Sequence, residues 1–237
     1  MGFKEGVKRW TGDLLSLIYP RLCEVCGDRL VEGEEHLCLQ CRCDMPLCNY
    51  TSYTDNEMHQ RLTGHTPVER AASLFYYYRD SPYTRLIQAA KYENRPQVAQ
   101  WLAEGFARRL KADGFFDGID MLVSVPLHRS KQRRRGYNQT HYIARGITAV
   151  TGITMSDALE AVAGHSSQTR LGAYERWLNA RENFGVSRPE AIGSKHILLI
   201  DDVLTTGATL LACIEAIHSA APGARISVLT LAVTHLR

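Results

Sequence analysis

The stretch ILLIDDVLTTGATL, Ile197 to Leu210, constrains the fold more than any other part of the chain. An apolar run ends in two aspartates, passes through threonines and a glycine, and continues as TLLACIEAIHSAAPGA, a helical pattern closed by Pro222 and Gly223. That is a strand, a tight turn and a helix in direct succession. MLVSVP, Met121 to Pro126, is a second short β-branched strand, followed by a polar loop and the helix-compatible NQTHYIARGITAVTG; RISVLTLAV is a third strand. Continuously apolar strands that alternate with helices imply an α/β fold, a parallel sheet with helices on both faces. Ligands of such sheets bind outside the carboxyl ends of the strands, where both the turn after Ile200 and the loop after Val125 fall.

The turn has the chemistry of a site. Free backbone N–H groups at a helix start, aided by the helix dipole, favour a phosphate. Thr205, Thr206 and Thr209 add hydroxyl donors, while Gly207 and Ala208 let the backbone approach a ligand. Asp201 and Asp202 repel a phosphate but accept hydrogen bonds from sugar hydroxyls or hold a hydrated Mg²⁺. Acceptors for a diol and donors for a phosphate within one loop describe ribose 5-phosphate. The loop lacks the Gly-Lys-Ser/Thr of a Walker A loop and is not a GxGxxG dinucleotide turn.

An apolar strand, two acidic residues and TTGAT together resemble the phosphoribosyl diphosphate signature of the type I phosphoribosyltransferases. The resemblance implies that Asp201 and Asp202 hold the ribose hydroxyls and that Thr205 to Thr209 bind the 5-phosphate. Val203 and Leu204 complete the substrate-binding segment.

VPLHRSKQRRRGYNQT, Val125 to Thr140, carries Arg129, Lys131, Arg133, Arg134 and Arg135. Most charge runs are solvated surface, and nucleic-acid readings also exist. This run, however, follows a strand at the binding edge, and a diphosphate needs cationic partners. With QTRLGAYERWLNARENF, Gln168 to Phe184, it resembles the ComF family, also described as the GntX type, at Arg133 or Arg135, Gly136, Asn138, Gln139, Gln168, Arg176, Asn179 and Phe184. An upstream pair, Lys91 and Tyr92, matches as well. The resemblance implies that the loop carrying Ser124, Pro126, Arg129, Arg133 and Arg135 binds diphosphate. It also implies that Gln168 to Phe184 forms a hood over the sugar, with Arg170 or Arg176 neutralising the leaving group. Lys91 and Tyr92 are either substrate contacts or a helix-end cation beside a packed ring.

Six of the seven cysteines lie between Cys23 and Cys48. CEVC and CLQC, separated by eleven residues, present Cys23, Cys26, Cys38 and Cys41 as four thiolates for a tetrahedral Zn²⁺. Cys43, Cys48 and His36 are alternative ligands; Cys213 reads as a buried core residue. This segment has too few apolar residues for a core of its own, so metal would supply its folding energy. A polar stretch near residues 50 to 65 marks the boundary between an N-terminal zinc module with a leading amphipathic helix, residues 1–62, and a phosphoribosyltransferase-like domain, residues 63–237. YTRLIQAAKY and PQVAQWLAEGFARRLKA, with Pro96 in its first turn, read as amphipathic helices of the latter.

A chain of 237 residues with 45% hydrophobic residues can bury a sizeable core, and a net charge of +3 does not demand a nucleic-acid or membrane partner. No run reaches the ~18 apolar residues of a membrane helix, and the first residues lack a signal-peptide core, so membrane insertion is not expected and a cytoplasmic location is. Two functions follow. One is a Mg²⁺-dependent phosphoribosyltransferase acting on phosphoribosyl diphosphate and an unspecified nitrogen nucleophile, with no covalent residue required, or a regulator that binds the sugar diphosphate without turnover. The other is a nucleic-acid-handling accessory protein. The ComF resemblance implies a role in competence, with single-stranded DNA or a competence helicase-type protein as partner, and Tyr76, Tyr77 and Tyr78 offer stacking faces. Arginines that share a cleft with Asp201 would serve diphosphate; an outer stripe joined to the zinc module would serve nucleic acid.

Overall fold

The computed structural model describes residues 20–162 and 184–235. The expected leading helix, and Gln168, Arg170, Arg176 and Asn179 of the expected hood, lie outside the described residues.

Among the described residues, five strands form one wholly parallel sheet: β1 (Ala71–Tyr76), β2 (Met121–Ser124), β3 (Met155–Ser156), β6 (His196–Leu204) and β7 (Arg225–Val233), in the order β1-β7-β6-β2-β3. The expected α/β architecture is therefore present. β6 lies centrally, Leu199 pairing with Val123 on one side and Val228 on the other. Its apolar run splits by the two-residue period of a strand. Leu198 and Ile200 join Leu122 in one core, while Ile197 and Leu199 join Val123 in the other.

The first core is closed by α3 (Thr84–Tyr92), α4 (Gln97–Ala112) and α6 (Gln139–Thr151), the second by α8 (Ala208–Ala220). Gly146 lets α4 and α6 meet backbone to backbone, because a Cβ there would overlap the Gln100 carbonyl and sit 3.0 Å from Ala103 Cβ. A short antiparallel pair, β4 (Leu159–Ala161) and β5 (Phe184–Val186), flanks the second face, followed by α7 (Pro189–Ile192).

The cysteine-rich segment is not a free-standing module. Cys23, Val25, Leu30, Leu37 and Cys41 belong to the same apolar core as α3 and α4. The Tyr83 hydroxyl donates to the Cys41 carbonyl at 2.8 Å, and Arg85 donates to the Val25 carbonyl at 3.3 Å. Arg95 pairs with buried Glu24 and donates a hydrogen bond of 2.6 Å to it. After α1 (Leu39–Cys43), the chain crosses to the opposite face, where α2 (Glu57–Thr63) buries Met58 and Leu62 in the second core. The expected boundary after residue 62 falls inside α2, whose Met58 and Leu62 pack in the second core.

Candidate functional site

β6 ends in Asp201 to Leu204, and Gly207 at φ +86° turns the chain into α8. The N-cap residue Gly207 has no side chain to cap that helix, and the Ala208 N–H donates to Thr206 Oγ1 at 3.4 Å. Asp201, Val203 and Leu204 through Leu210 enclose a small cup of 30 Å³, in which Thr205, Thr206 and Thr209 are exposed and Gly207 is buried. Two residues of α2 hold the turn from beneath. Arg61 donates to the carbonyls of Thr205 and Thr234, both at 2.7 Å, and Leu62 packs under Gly207. Arg61 carries no sequence signal of this role, since 144 residues separate it from Thr205.

The cup opens beside a larger cleft of 720 Å³. Asp201, Asp202, Val203, Thr205 and Thr209 line its β6 side, Lys91 and Tyr92 its α3 side, and Pro126 the end of β2. The fourth wall is α5 (Arg129–Arg135), a helix where the sequence suggested a loop. Helical phase decides which cations serve the cleft: Lys131, Arg134 and Arg135 line it, whereas exposed Arg129 and Arg133 are not among its lining residues. Ser124 is also absent from the wall. It is buried and donates to the Thr140 carbonyl at 3.2 Å. Asn138 and Thr140 likewise fasten the strand end, donating to the Val125 carbonyl at 3.0 and 2.9 Å.

Strand alternation separates the acidic pair. Asp202 is 5% exposed and turns toward α3 and α6, taking an ion pair from Lys91 Nζ at 2.8 Å and a hydrogen bond from Gln139 Nε2 at 2.5 Å. Arg135 in turn donates to Gln139 Oε1, and its guanidinium lies 5.3 Å above the Tyr92 ring. Asp201 accepts a hydrogen bond from the Asp202 N–H at 2.8 Å. Packing around Asp201 removes water, and the neighbouring Asp202 charge adds to the effect; together they push its carboxyl up to about 7.

The second site lies in the N-terminal segment. The sulfur atoms of Cys23, Cys26, Cys38 and Cys41 all lie within 4.8 Å of one another, a four-thiol cluster set to hold a metal ion. Backbone N–H groups of Cys38, Cys41 and Asp28 point at the sulfurs of Cys23, Cys38 and Cys26. Burial opposes ionisation of Cys23, but N–H groups of Cys26, Cys38 and Val25 outweigh it and bring the thiol down to about 7. Cys43 is exposed, Cys48 is buried in the second core, and neither belongs to the cluster. His36 faces Glu24 at 3.5 Å instead. Cys213 is buried in the core as expected. Tyr76 stacks on His235, Tyr77 lines the cleft and Tyr78 is 45% exposed. Among the described residues, no helix is long and apolar enough to cross a membrane.

Fold and site together define an α/β protein with an acidic pair, a threonine-lined turn and a cationic helix around one cleft at the carboxyl edge of a parallel sheet, joined to a cluster of four cysteines that could hold a metal ion. No family model matches the chain. It is similar to the DNA utilization protein YhgH of Salmonella typhimurium, with 27% identity over 200 residues covering 83% of each chain. It is also similar to that of Escherichia coli K12, with 26% identity covering 82% of this chain and 89% of that one. Competence protein F of Haemophilus influenzae is 30% identical over 135 residues, 54% of this chain and 58% of that one. The ComF resemblance read from the motifs is therefore borne out as a resemblance: the chain is similar to DNA-utilization and competence proteins. Similar solved structures include an adenine phosphoribosyltransferase, at 12% identity and a TM-score of 0.40, covering 67% of this chain and 82% of that one. Another is the adenine phosphoribosyltransferase of Saccharomyces cerevisiae, at 13% identity and a TM-score of 0.38, covering 58% and 69%.

Proposed function

We propose that the chain binds phosphoribosyl diphosphate with Mg²⁺ in this cleft and serves the uptake or use of DNA as a phosphoribosyltransferase. The observation that carries the reading is the convergence on one cleft of the acidic pair, the Thr205–Thr209 cup and three cations of α5. The cup takes the 5-phosphate through its N–H and hydroxyl groups, and the acidic end of β6 lies where the ribose hydroxyls would follow. Lys131, Arg134 and Arg135 face the diphosphate. Val203, Leu204, Gly207 and Ala208 shape the turn; Pro126, Lys91 and Tyr92 shape the opposite rim. Gln168 and Arg176 belong to this proposal through the ComF resemblance alone.

Bound Mg²⁺ would neutralise charge on the departing diphosphate. The protein's part is to position the sugar against a nitrogen nucleophile and to stabilise separating charge at C1, which needs no covalent residue. The four-cysteine site is assigned to structural Zn²⁺, because four clustered thiolates suit that ion and the site is distant in sequence from the cleft residues.

The test is calorimetric titration with phosphoribosyl diphosphate and Mg²⁺ of wild type and the Asp201→Asn, Asp202→Asn double variant. Saturable binding lost in the variant is expected; absence of binding by folded wild type overturns the reading. A second reading rests on Arg129 and Arg133, which are exposed and do not line the cleft. They suit a phosphate backbone such as single-stranded DNA, alone or beside a helicase-type partner. Affinity that falls linearly in log[salt] and weakens in Arg129→Ala with Arg133→Ala would support it.

A further inference from the structure

We infer that the two aspartates at the end of β6 have different tasks: Asp201 alone addresses the sugar, while Asp202 is a positioning residue that fixes the cations of the diphosphate side. This deepens the phosphoribosyl diphosphate reading and rests on it.

The argument begins with the strand. Successive side chains point to opposite faces, so adjacent Asp201 and Asp202 are directed apart. Asp202 follows Leu198 and Ile200 toward the face of α3 and α6; Asp201 follows Ile197 and Leu199 toward the face of α8. Accordingly, Asp201 lines the threonine cup and Asp202 does not.

Both carboxylate oxygens of Asp202 are engaged, Oδ1 by Lys91 and Oδ2 by Gln139. The Gln139 amide is used from both ends, since its Oε1 receives Arg135, and Arg135 covers Tyr92, the chain neighbour of Lys91. The contacts close a ring: Lys91 and Tyr92 from α3, Asp202 from β6, Gln139 from α6, Arg135 from α5. Tyr137 adds a tie by donating to the Ala90 carbonyl at 2.9 Å. A ribose hydroxyl reaching Asp202 would have to share an oxygen already engaged by a charged or an amide partner on a 5% exposed residue, which Asp201 does not require. As an anchor it keeps Lys91 and Arg135 fixed at the rim, so less side-chain freedom is lost when an anion arrives.

The experiment uses the full-length, metal-loaded chain and two probes, ribose 5-phosphate and inorganic diphosphate with Mg²⁺, titrated by calorimetry into wild type, Asp201→Asn, Asp202→Asn, Gln139→Ala and the double variants. At pH 8, where Asp201 is ionised, Asp201→Asn is expected to weaken ribose 5-phosphate by about tenfold or more, the loss of a charge-assisted hydrogen bond, whereas Asp202→Asn changes it by no more than about twofold. For Mg²⁺-diphosphate, Gln139→Ala is expected to weaken binding by about threefold or more, and its effect to be non-additive with Asp202→Asn but additive with Asp201→Asn. Equal loss of ribose 5-phosphate in the two aspartate variants overturns the division of tasks, as does additivity of Asp202→Asn with Gln139→Ala. If Asp202→Asn melts below the assay temperature, Gln139→Ala decides: selective loss of diphosphate supports the ring, and equal loss of both probes overturns it. Wild type that binds neither probe removes the phosphoribosyl reading itself, a different result from binding without division.

Discussion

Asp201 stores a pH dependence at a single residue. Its carboxyl ordinarily titrates at 3.8 and in the fold is pushed up to about 7, first by burial and then by the Asp202 charge. The folded state thus holds the proton more tightly than the unfolded chain, so the associated stability is complete below 3.8 and drains away as pH rises toward 7. Asp201→Asn cannot ionise. It is expected to melt about 2–4 °C above wild type at pH 8 and to show no such advantage at pH 4, measured by scanning calorimetry in the two buffers. An acid kept costly for a site's sake fits the general tension between binding chemistry and stability. Gly207 is the second residue at which local chemistry is decisive, because φ +86° admits other side chains only with strain.

Elements meet the site through a few contacts remote in sequence. α2 supports the Thr205–Thr209 turn with one guanidinium, so Arg61→Gln is expected to cost about 1–3 kcal/mol and to speed amide hydrogen exchange across that turn, with exchange in α4 unchanged. The α4–α6 crossing depends on the absence of a side chain at one position. Gly146→Ala is expected to destabilise the fold by about 1–3 kcal/mol in urea titration, because the Gln100 carbonyl and Ala103 leave no room for a methyl group. α5 shows how an element sorts its own residues. Five cations in seven positions read alike as a run, but one helical face carries Lys131, Arg134 and Arg135 to the cleft.

In the whole molecule, the two sites are joined through α3. Its first turn is tied to the cysteine segment by Tyr83 and Arg85, and its last turn delivers Lys91 to Asp202. Removing metal with a chelator is therefore expected to lower the melting temperature of the whole chain by about 5–10 °C in one transition, and to weaken phosphoribosyl diphosphate binding as well. Differential scanning calorimetry with metal content read in parallel checks the first effect, and titration of the stripped protein checks the second. A separate low-temperature transition that left binding intact would show the segment to be an independent appendage.

The parallel α/β sheet, the strand–turn–helix order around the two aspartates and the first two cysteine pairs were legible in the sequence by itself, although the turn expected after Ile200 comes only after Leu204, because Asp201 to Leu204 still pair in the sheet. Each is a local pattern: a run of apolar residues, a glycine where φ is positive, a CxxC spacing. Tertiary structure alone decided that α2 packs in the second core, that Arg61 holds the turn, that Ser124, Arg129 and Arg133 do not line the cleft, and that Asp202 faces Lys91 and Gln139. The physical reason is direction. Residue type and spacing state which chemistry a segment can perform, but which way a side chain points is fixed only when strand pleat, helix phase and the packing of distant elements are settled together.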